Sequence, residues 1–331
     1  MKNTKQNSMT HCNLCDSDRV EKIVDWKEYS IYKCNNCNLI FAFPLPEDQL
    51  LIDFYQGFLF NQPKRNTLQK EVRKRKKELK ELFSFQSFDT KNLYLDYGGG
   101  TGSSFKAARE LGLTAYYQDL DEEAKAFVKE VHGLDNDHII DDIEKTSIRF
   151  DAIFSDNVIE HVKDPVKFTS DLKRILNIGG QMVIKTPHGM NTEILFYPFI
   201  SLKGYTFAAM KYNPLPIVIK AYFKRFWHCD PPRHLYSFSK QNLELIAKKA
   251  GFRDDEIEVS YYRVPLFDFS LTKMFVSIKA RHGIRSMFLR VLYLPVIPLE
   301  LLSKLLQSIL ISLNILSAGG IILKLKNNDR G

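Results

Sequence analysis

The sequence predicts an α/β fold built on a largely parallel sheet, and three observations carry that expectation. From residue 92 onward, short apolar runs of strand length alternate with helical patterns, the sign of a parallel sheet covered on both faces. The stretch YLDYGGGTG, residues 94–102, ends an apolar run in a carboxylate and then turns through glycines into a helical segment. At 331 residues and 44% apolar content, the chain is long enough to build a large core.

Taken in order, strands are expected at about 92–97, 114–119, 137–140, 151–155 and 181–186, and helices at about 103–111, 121–131 and 165–176. A later helix, 239–250, opens at Ser239 and stops at Gly251, and a strand at 256–263 follows it. The chain closes on GGIILKLKN, which reads as a last strand returning to the sheet.

The first fifteen residues, MKNTKQNSMTHCNLC, are polar and lack the apolar core of a secretory signal, so a cytoplasmic chain is expected. Four of the five cysteines stand as Cys12-x-x-Cys15 and Cys34-x-x-Cys37, with eighteen residues between the pairs. Two such knuckles turn four thiolates toward one cation and leave no position open for substrate, so a structural Zn²⁺ ribbon is expected over 10–43. Pro44 and Pro46 end the strand pattern, and a basic helical linker over 44–90 contains KRNTLQKEVRKRKKELKELF, with only a thin apolar stripe. The net charge of +8 adds an expectation of an anionic partner without choosing among phosphate, nucleic acid and a membrane surface.

Two stretches depart from plain alternation. Residues 188–236 mix aromatic and apolar side chains with Lys203, Lys211, Lys220, Lys224 and Arg225, and read as a cap over the sheet. Residues 264–317 are rich in leucine and isoleucine, but Lys304, Gln307, Ser308 and Ser312 interrupt any span of about twenty apolar residues. An interfacial helix, or one packed on the core or on a second subunit, is expected there instead. The sheet domain is then 91–263 plus 318–327.

The glycines in Asp96-x-Gly98-x-Gly100-x-Gly102 are spaced two apart and follow an acid, whereas a pyrophosphate loop prefers G-x-G-x-x-G. A carboxylate there repels pyrophosphate and suits a cationic amino-acid head group. Asp119, about twenty residues on at the end of the next strand, is placed to accept ribose hydroxyls, while Asp121 reads as the cap of the following helix. Asp142, after the third strand, is a candidate for an adenine amino group.

Together these stretches resemble the class I S-adenosylmethionine-dependent methyltransferases, in particular the group of small-molecule, sugar and quinone methyltransferases. LYLDYGGGTG is similar to their first motif, YYQDLDEEA to their second, and FDAIFSDNVIEHVKDPVKFTSDLKRILNIGGQMVIKTPH to their central block. PPRHLYSFSKQNLELIAKKAGF resembles a later segment, so the likeness covers about 90–262. The four-cysteine front end is similar to the zinc ribbon of some sugar methyltransferases. The resemblance implies a Rossmann-like sheet of seven strands, six parallel and one antiparallel, with GGIILKLKN as the odd strand. It implies S-adenosyl-L-methionine as cofactor, held by Asp96, Gly98, Gly100, Gly102, Asp119, Asp142 and Asn157.

A hydroxyl or carbon acceptor calls for a general base, and histidine suits neutral pH. His161 and His234, with Glu160, are the catalytic candidates; His188, His228 and His138 are weighed behind them. Some quinone methyltransferases hold a divalent cation with E-x-x-E-H, but Asn157 replaces the first acid here, which argues against a catalytic metal. The expected acceptor is a sugar or a lipid-linked glycan intermediate of cell-surface polysaccharide synthesis, with peripheral contact on the inner face of the membrane. The alternatives are a quinone or lipid O-methyltransferase, a zinc-ribbon rRNA methyltransferase and a non-catalytic binding protein. Nucleic acid is the weaker partner, because Ser155-Asp156-Asn157-Val158 stands where an N/D-P-P-Y/F/W tetrapeptide would be.

Overall fold

A computed structural model describes residues 9–56, 65–84, 89–189, 205–262 and 319–328, with seven scattered positions between 302 and 313. The main sheet has the order β5-β4-β6-β7-β10-β9. Its strands are β4 (Leu93–Tyr97), β5 (Thr114–Gln118), β6 (Phe150–Asp156), β7 (Leu176–Pro187), β9 (Ile257–Tyr262) and β10 (Gly320–Lys326). β5, β4, β6 and β7 run parallel, and β10 lies antiparallel to both β7 and β9. GGIILKLKN is therefore the odd strand, as the resemblance implied.

The third expected strand differs. Residues 136–138 form a short 3₁₀ turn, and pairing at that edge is reduced to one parallel bridge between Tyr117 and Ile139. Six strands, not seven, are hydrogen-bonded into this sheet among the described residues. Asp135 explains the early turn: its side chain accepts from the His138 N–H and closes the loop before a strand can extend.

Helices α3 (Ser103–Glu110), α4 (Glu122–His132), α5 (Pro165–Arg174) and α8 (Lys240–Lys249) flank the sheet, and their starts follow the sequence. Asp121 caps α4, Asp164 with Pro165 opens α5, and Ser239 with Asn242 forms a capping box on α8. The sheet core is two-sided, with Leu95, Ile153, Leu172 and Leu323 on one face and Tyr94, Phe105, Tyr117 and Phe154 on the other.

Within the segment read as a basic helical linker, α2 (Arg65–Leu82) packs against the main domain. Leu68, Val72, Leu79 and Leu82 are buried, and they join the same apolar cluster as Tyr94 and Phe105. The thin stripe is enough because α2 lies along α3 and leaves its charged face to water. Before it, α1 spans Asp48–Tyr55.

The cysteine-rich front end folds as a second sheet, β1 (Val20–Trp26), β2 (Tyr29–Cys34) and β3 (Ile40–Phe43), with a fourth strand from far along the chain, β8 (Tyr236–Ser237). β3 pairs antiparallel with β8. The segment 205–229, including α6 (Phe207–Ala209) and α7 (Leu215–Lys224), packs on this sheet rather than on the main one. Ile23, Trp26, Ile31 and Ile40 share one core with Tyr205, Val218, Phe226 and Trp227. Polar bonds reinforce the contact. Asn213 and Asp25 exchange two hydrogen bonds of 2.8 Å, and Lys220 and Lys224 pair with Glu21. Front end and cap are one packed unit.

Of the insertion read at 264–317, only scattered positions lie among the described residues. Those between 302 and 312 are helical, and Leu302, Leu305, Leu306, Ile309 and Leu313 are exposed. Among the described residues no helix is long and apolar enough to cross a membrane.

Candidate functional site

β4 delivers Asp96 to the carboxyl edge of the sheet, and the chain then turns through the glycine loop into α3. Asp96 is buried, and its Oδ2 accepts from the Phe105 N–H at 2.8 Å. Gly98, Gly100 and Gly102 all have positive φ, of 66°, 51° and 67°. At Gly98 a Cβ would lie 2.4 Å from the Val158 Cγ2, so the loop presses on the chain leaving β6. At Gly100 nothing lies within 4 Å of a Cβ position, so the backbone there faces open space.

Asp119 joins the same loop. Its Oδ2 accepts from the Gly100 N–H at 2.8 Å and its Oδ1 from the Asp121 N–H at 2.9 Å, while the Tyr117 hydroxyl donates to the Gly100 carbonyl at 2.8 Å. The two acids singled out by the motif are thereby tied to one turn. Burial pushes the Asp96 carboxyl up to about 7, and burial likewise raises Asp119.

Between this loop and α2 lies a cavity of about 360 Å³. Asp96, Gly98, Gly99 and Gly100 form one wall, Phe154 and Asp156 close the β6 side, and Glu71, Lys74 and Arg75 come from α2. Three acids and two bases line it, and the third acid is Asp96, whose charge burial disfavours. The α2 residues were not foreseen, because in sequence they are indistinguishable from the other charges of a basic helix. Arg75 pairs with Asp156 at 2.5 Å and Glu78 at 2.6 Å, and buried Lys185 of β7 pairs with the same two acids.

A second group of side chains assembles where the chain continues past Asp156. Glu160, His161 and His234 bring one ligand atom each within 4.8 Å of one another. The His161 and His234 rings stack with centroids 4.8 Å apart. His161 Nδ1 lies 2.6 Å from the Arg233 carbonyl, which can only accept, so Nδ1 carries the proton and Nε2 keeps its lone pair. The Tyr55 hydroxyl of α1 lies 2.8 Å from the same Nδ1 and donates to the Arg233 carbonyl. His234 Nδ1 lies 2.6 Å from the Asp230 carboxylate, so its Nε2 is also the free nitrogen. Arg233 holds Asp230 from the other side, with its Nη2 at 2.7 Å.

Burial, and then the neighbouring His234, lower His161 to about 3, so this ring is neutral near pH 7. Burial raises Glu160 to about 8. Its Oε2 accepts from the Thr186 hydroxyl at 3.0 Å, while its Oε1 is buried with no hydrogen-bond partner. The backbone fixes this group as well: the Glu160 carbonyl accepts from the Leu235 N–H at 2.9 Å.

Other candidates lie apart. Asp142 is partly exposed and bonds to Lys145 and the Glu144 N–H, and neither it nor Asn157 lines the cavity; Gly102 and Asp119 are also outside its lining, Asp119 meeting the loop through the Gly100 N–H. Asn157 is exposed with φ 59° and donates to Asp156 at 3.1 Å. His138 sits at the β5 edge on Asp135, and His188 and His228 are outside the histidine pair. Cys229 is buried beside the Leu235 carbonyl.

The four paired cysteines converge into one group within 4.8 Å. Cys12 and Cys37 sulfurs are 3.7 Å apart and Cys15 and Cys34 sulfurs 3.6 Å. A tetrahedral zinc with its usual sulfur bond length needs sulfurs about 3.8 Å apart, so the donor set fits that ion. Backbone N–H groups of Asn36 and Cys37 point at the Cys34 sulfur, as a knuckle that favours thiolate requires.

A family model described as a methyltransferase domain matches residues 68–257. No curated protein matches the chain. Among solved structures it is similar to phosphoethanolamine N-methyltransferase 2 of Haemonchus contortus, at 20% identity over 78% of this chain and 53% of that one, with a TM-score of 0.44. It is also similar to a methyltransferase from Listeria monocytogenes, at 14% identity over 77% of this chain and 98% of the other, with a TM-score of 0.43. A cyclopropane synthase of Mycobacterium tuberculosis gives 15% identity over 77% and 82%, again with a TM-score of 0.43. The chain spans about half the length of the Haemonchus enzyme, and such distant likenesses say nothing about substrate. The family model takes in more than half of the chain, beginning within α2 and ending at β9, and the chain belongs to the methyltransferase-domain family as an S-adenosylmethionine-dependent methyltransferase.

Proposed function

We propose that the enzyme methylates a hydroxyl or carbon of a sugar, nucleotide-linked or carried on a polyprenyl lipid, in the making of a cell-surface glycan. The observation that carries this reading is the His234–Asp230 pair beside His161, on the segment that continues from the cofactor cavity. An acceptor that must lose a proton needs such a base, and an acid-backed imidazole with a free Nε2 supplies one.

The residues that would hold S-adenosylmethionine are Asp96, the turn at Gly98–Gly100 and Asp119, with open backbone at Gly100. When bound, the cofactor supplies a methyl group on a sulfonium. His234 Nε2 takes the proton from the acceptor, and Asp230 keeps the ring in that tautomer and stabilises the imidazolium that forms. Neutral His161 and the Tyr55 hydroxyl line the same group and orient the acceptor. Cys12, Cys15, Cys34 and Cys37 would hold a structural Zn²⁺ that shapes the cap rather than the chemistry.

The lipid-linked form of the acceptor has its own support. Leu215, Ile217, Ile219 and Phe223 of α7 are exposed, and Lys211, Lys220 and Lys224 are close in sequence, a mix suited to an anionic membrane surface. The test is incubation with methyl-labelled cofactor and separated pools of nucleotide sugars, polyprenyl-linked sugars, quinones and RNA. Label entering either sugar pool supports the proposal; label entering quinone or RNA alone refutes it.

A further inference from the structure

α7, with the sequence LPIVIKAYFK, carries apolar residues on nearly every side, a pattern that belongs to a helix enclosed by a core or by lipid, yet only one side of it is covered. Val218 and Ala221 turn onto the front-end sheet and are fully buried, in one core with Ile23, Ile31 and Trp227. Leu215, Ile219 and Phe223, spaced four apart, form a stripe away from that core, and all three are exposed, Phe223 by 76%. Phe207 and Met210, in and just after α6, are exposed as well. Charge accompanies this surface. Residues 205–229 hold Lys211, Lys220, Lys224 and Arg225 and no acid, and the acid that meets two of these lysines, Glu21, comes from β1.

We propose that this face seats the enzyme on an anionic lipid bilayer, with Leu215, Ile219 and Phe223 entering the acyl boundary and the lysines meeting lipid phosphates, and that the cysteine-bearing sheet is its mount. Cations beside an exposed apolar stripe suit a surface of lipid phosphates. They weigh against a second copy of this chain, because a two-fold contact sets the same cations against each other. The mount matters energetically: α7 is already folded and held by Val218 and Ala221, so lipid binding has little helix to order. Six positions separate Lys224 from Asp230, which puts the Asp230–His234 pair one short loop from the lipid surface. Docking needs neither acceptor nor turnover, so the surface goes beyond the acceptor reading and does not depend on it.

The experiment is co-sedimentation of the full chain with vesicles of phosphatidylcholine, alone or with about a third phosphatidylglycerol. The wild-type chain is expected to bind the anionic vesicles at least about tenfold tighter than the neutral ones. Ile219→Asp with Phe223→Asp should weaken that binding about tenfold or more, and Lys211→Glu with Lys220→Glu should weaken it to a similar extent and remove its dependence on salt. Ile178→Asp, at another exposed apolar position on β7, should stay within about twofold of wild type. Thermal melting checks the fold of each variant. A wild-type chain that pellets with neither vesicle, or equally with both, overturns the proposal, as do α7 variants that bind like wild type. Self-association that Phe223→Asp abolishes, read by analytical ultracentrifugation in the absence of vesicle binding, gives the face to a second copy and overturns it too. None of these outcomes bears on the acceptor, which the labelled pools decide.

Discussion

The proposed cofactor side and the proposed acceptor side of this enzyme are built in opposite ways. The cofactor side is local: Asp96, the glycine turn and Asp119 span 24 positions and are joined by direct hydrogen bonds. The acceptor side is assembled from Tyr55, the Glu160–His161 pair, and the loop from Asp230 to His234. A site made of contiguous backbone keeps its shape through its own turn geometry, whereas one made of distant segments depends on whatever packs those segments together. Here that packing is the front-end sheet, through β3 and β8, and the Leu235–Glu160 hydrogen bond.

The contrast can be broken in four places. The largest effect is expected from Asp230→Asn, which leaves the His234 ring without its orienting acid. Turnover should fall about 10²- to 10⁴-fold while S-adenosylmethionine affinity, read by calorimetry, stays unchanged. Gly98→Val does the converse: a Cβ 2.4 Å from Val158, on a backbone with φ of 66°, should weaken the cofactor roughly a hundredfold or more. Metal content by mass spectrometry should not change in that variant, and loss of both together would mean that the two regions are not independent.

Cys37→Ser tests the dependence of the acceptor side on the front end. The Asn242 side chain of α8 donates to the Cys37 carbonyl at 2.7 Å, and Asn13 donates to Tyr236 of β8 at 2.7 Å. Losing the fourth sulfur should therefore cost about tenfold or more in turnover, with cofactor affinity kept. Retained turnover in a metal-free variant would contradict the link.

The smallest effect is in pH. The Asp96 carboxyl lies at about 7 in the folded protein against an ordinary value near 4, because burial disfavours its charge. The folded state thus holds a proton that the unfolded state releases between those values. Its contribution to stability is fully present below pH 4 and is lost as pH rises through 7. A cationic ligand favours the ionised form, so S-adenosylmethionine should bind several-fold tighter at pH 8 than at pH 6. In Asp96→Asn that slope should flatten.

What the sequence disclosed follows the same division. The glycine turn, the acid before it and Asp119 were legible because their spacing alone dictates a strand, a bend and a helix. Glu160, His161 and His234 could be named but not joined, since 73 positions separate the two histidines and only the fold stacks their rings. Asp230 was missed although it stands four positions before His234, a signal that an orienting carboxylate search would catch. Arg75, Glu78 and Lys185 were missed for a different reason. In a helix as charged as α2, only the position of β6 and β7 beneath it picks out which charges are buried.

The shared strand pairing between residues 40–41 and 236–237 also limits how this enzyme can be re-engineered. Transplanting a relative's acceptor-selecting segment into it, a tempting route to new products, would strand half of an interlocked core. A workable chimera has to exchange the cysteine-bearing front end along with the cap, as a single cassette, even though nearly two hundred residues lie between the paired strands in the chain.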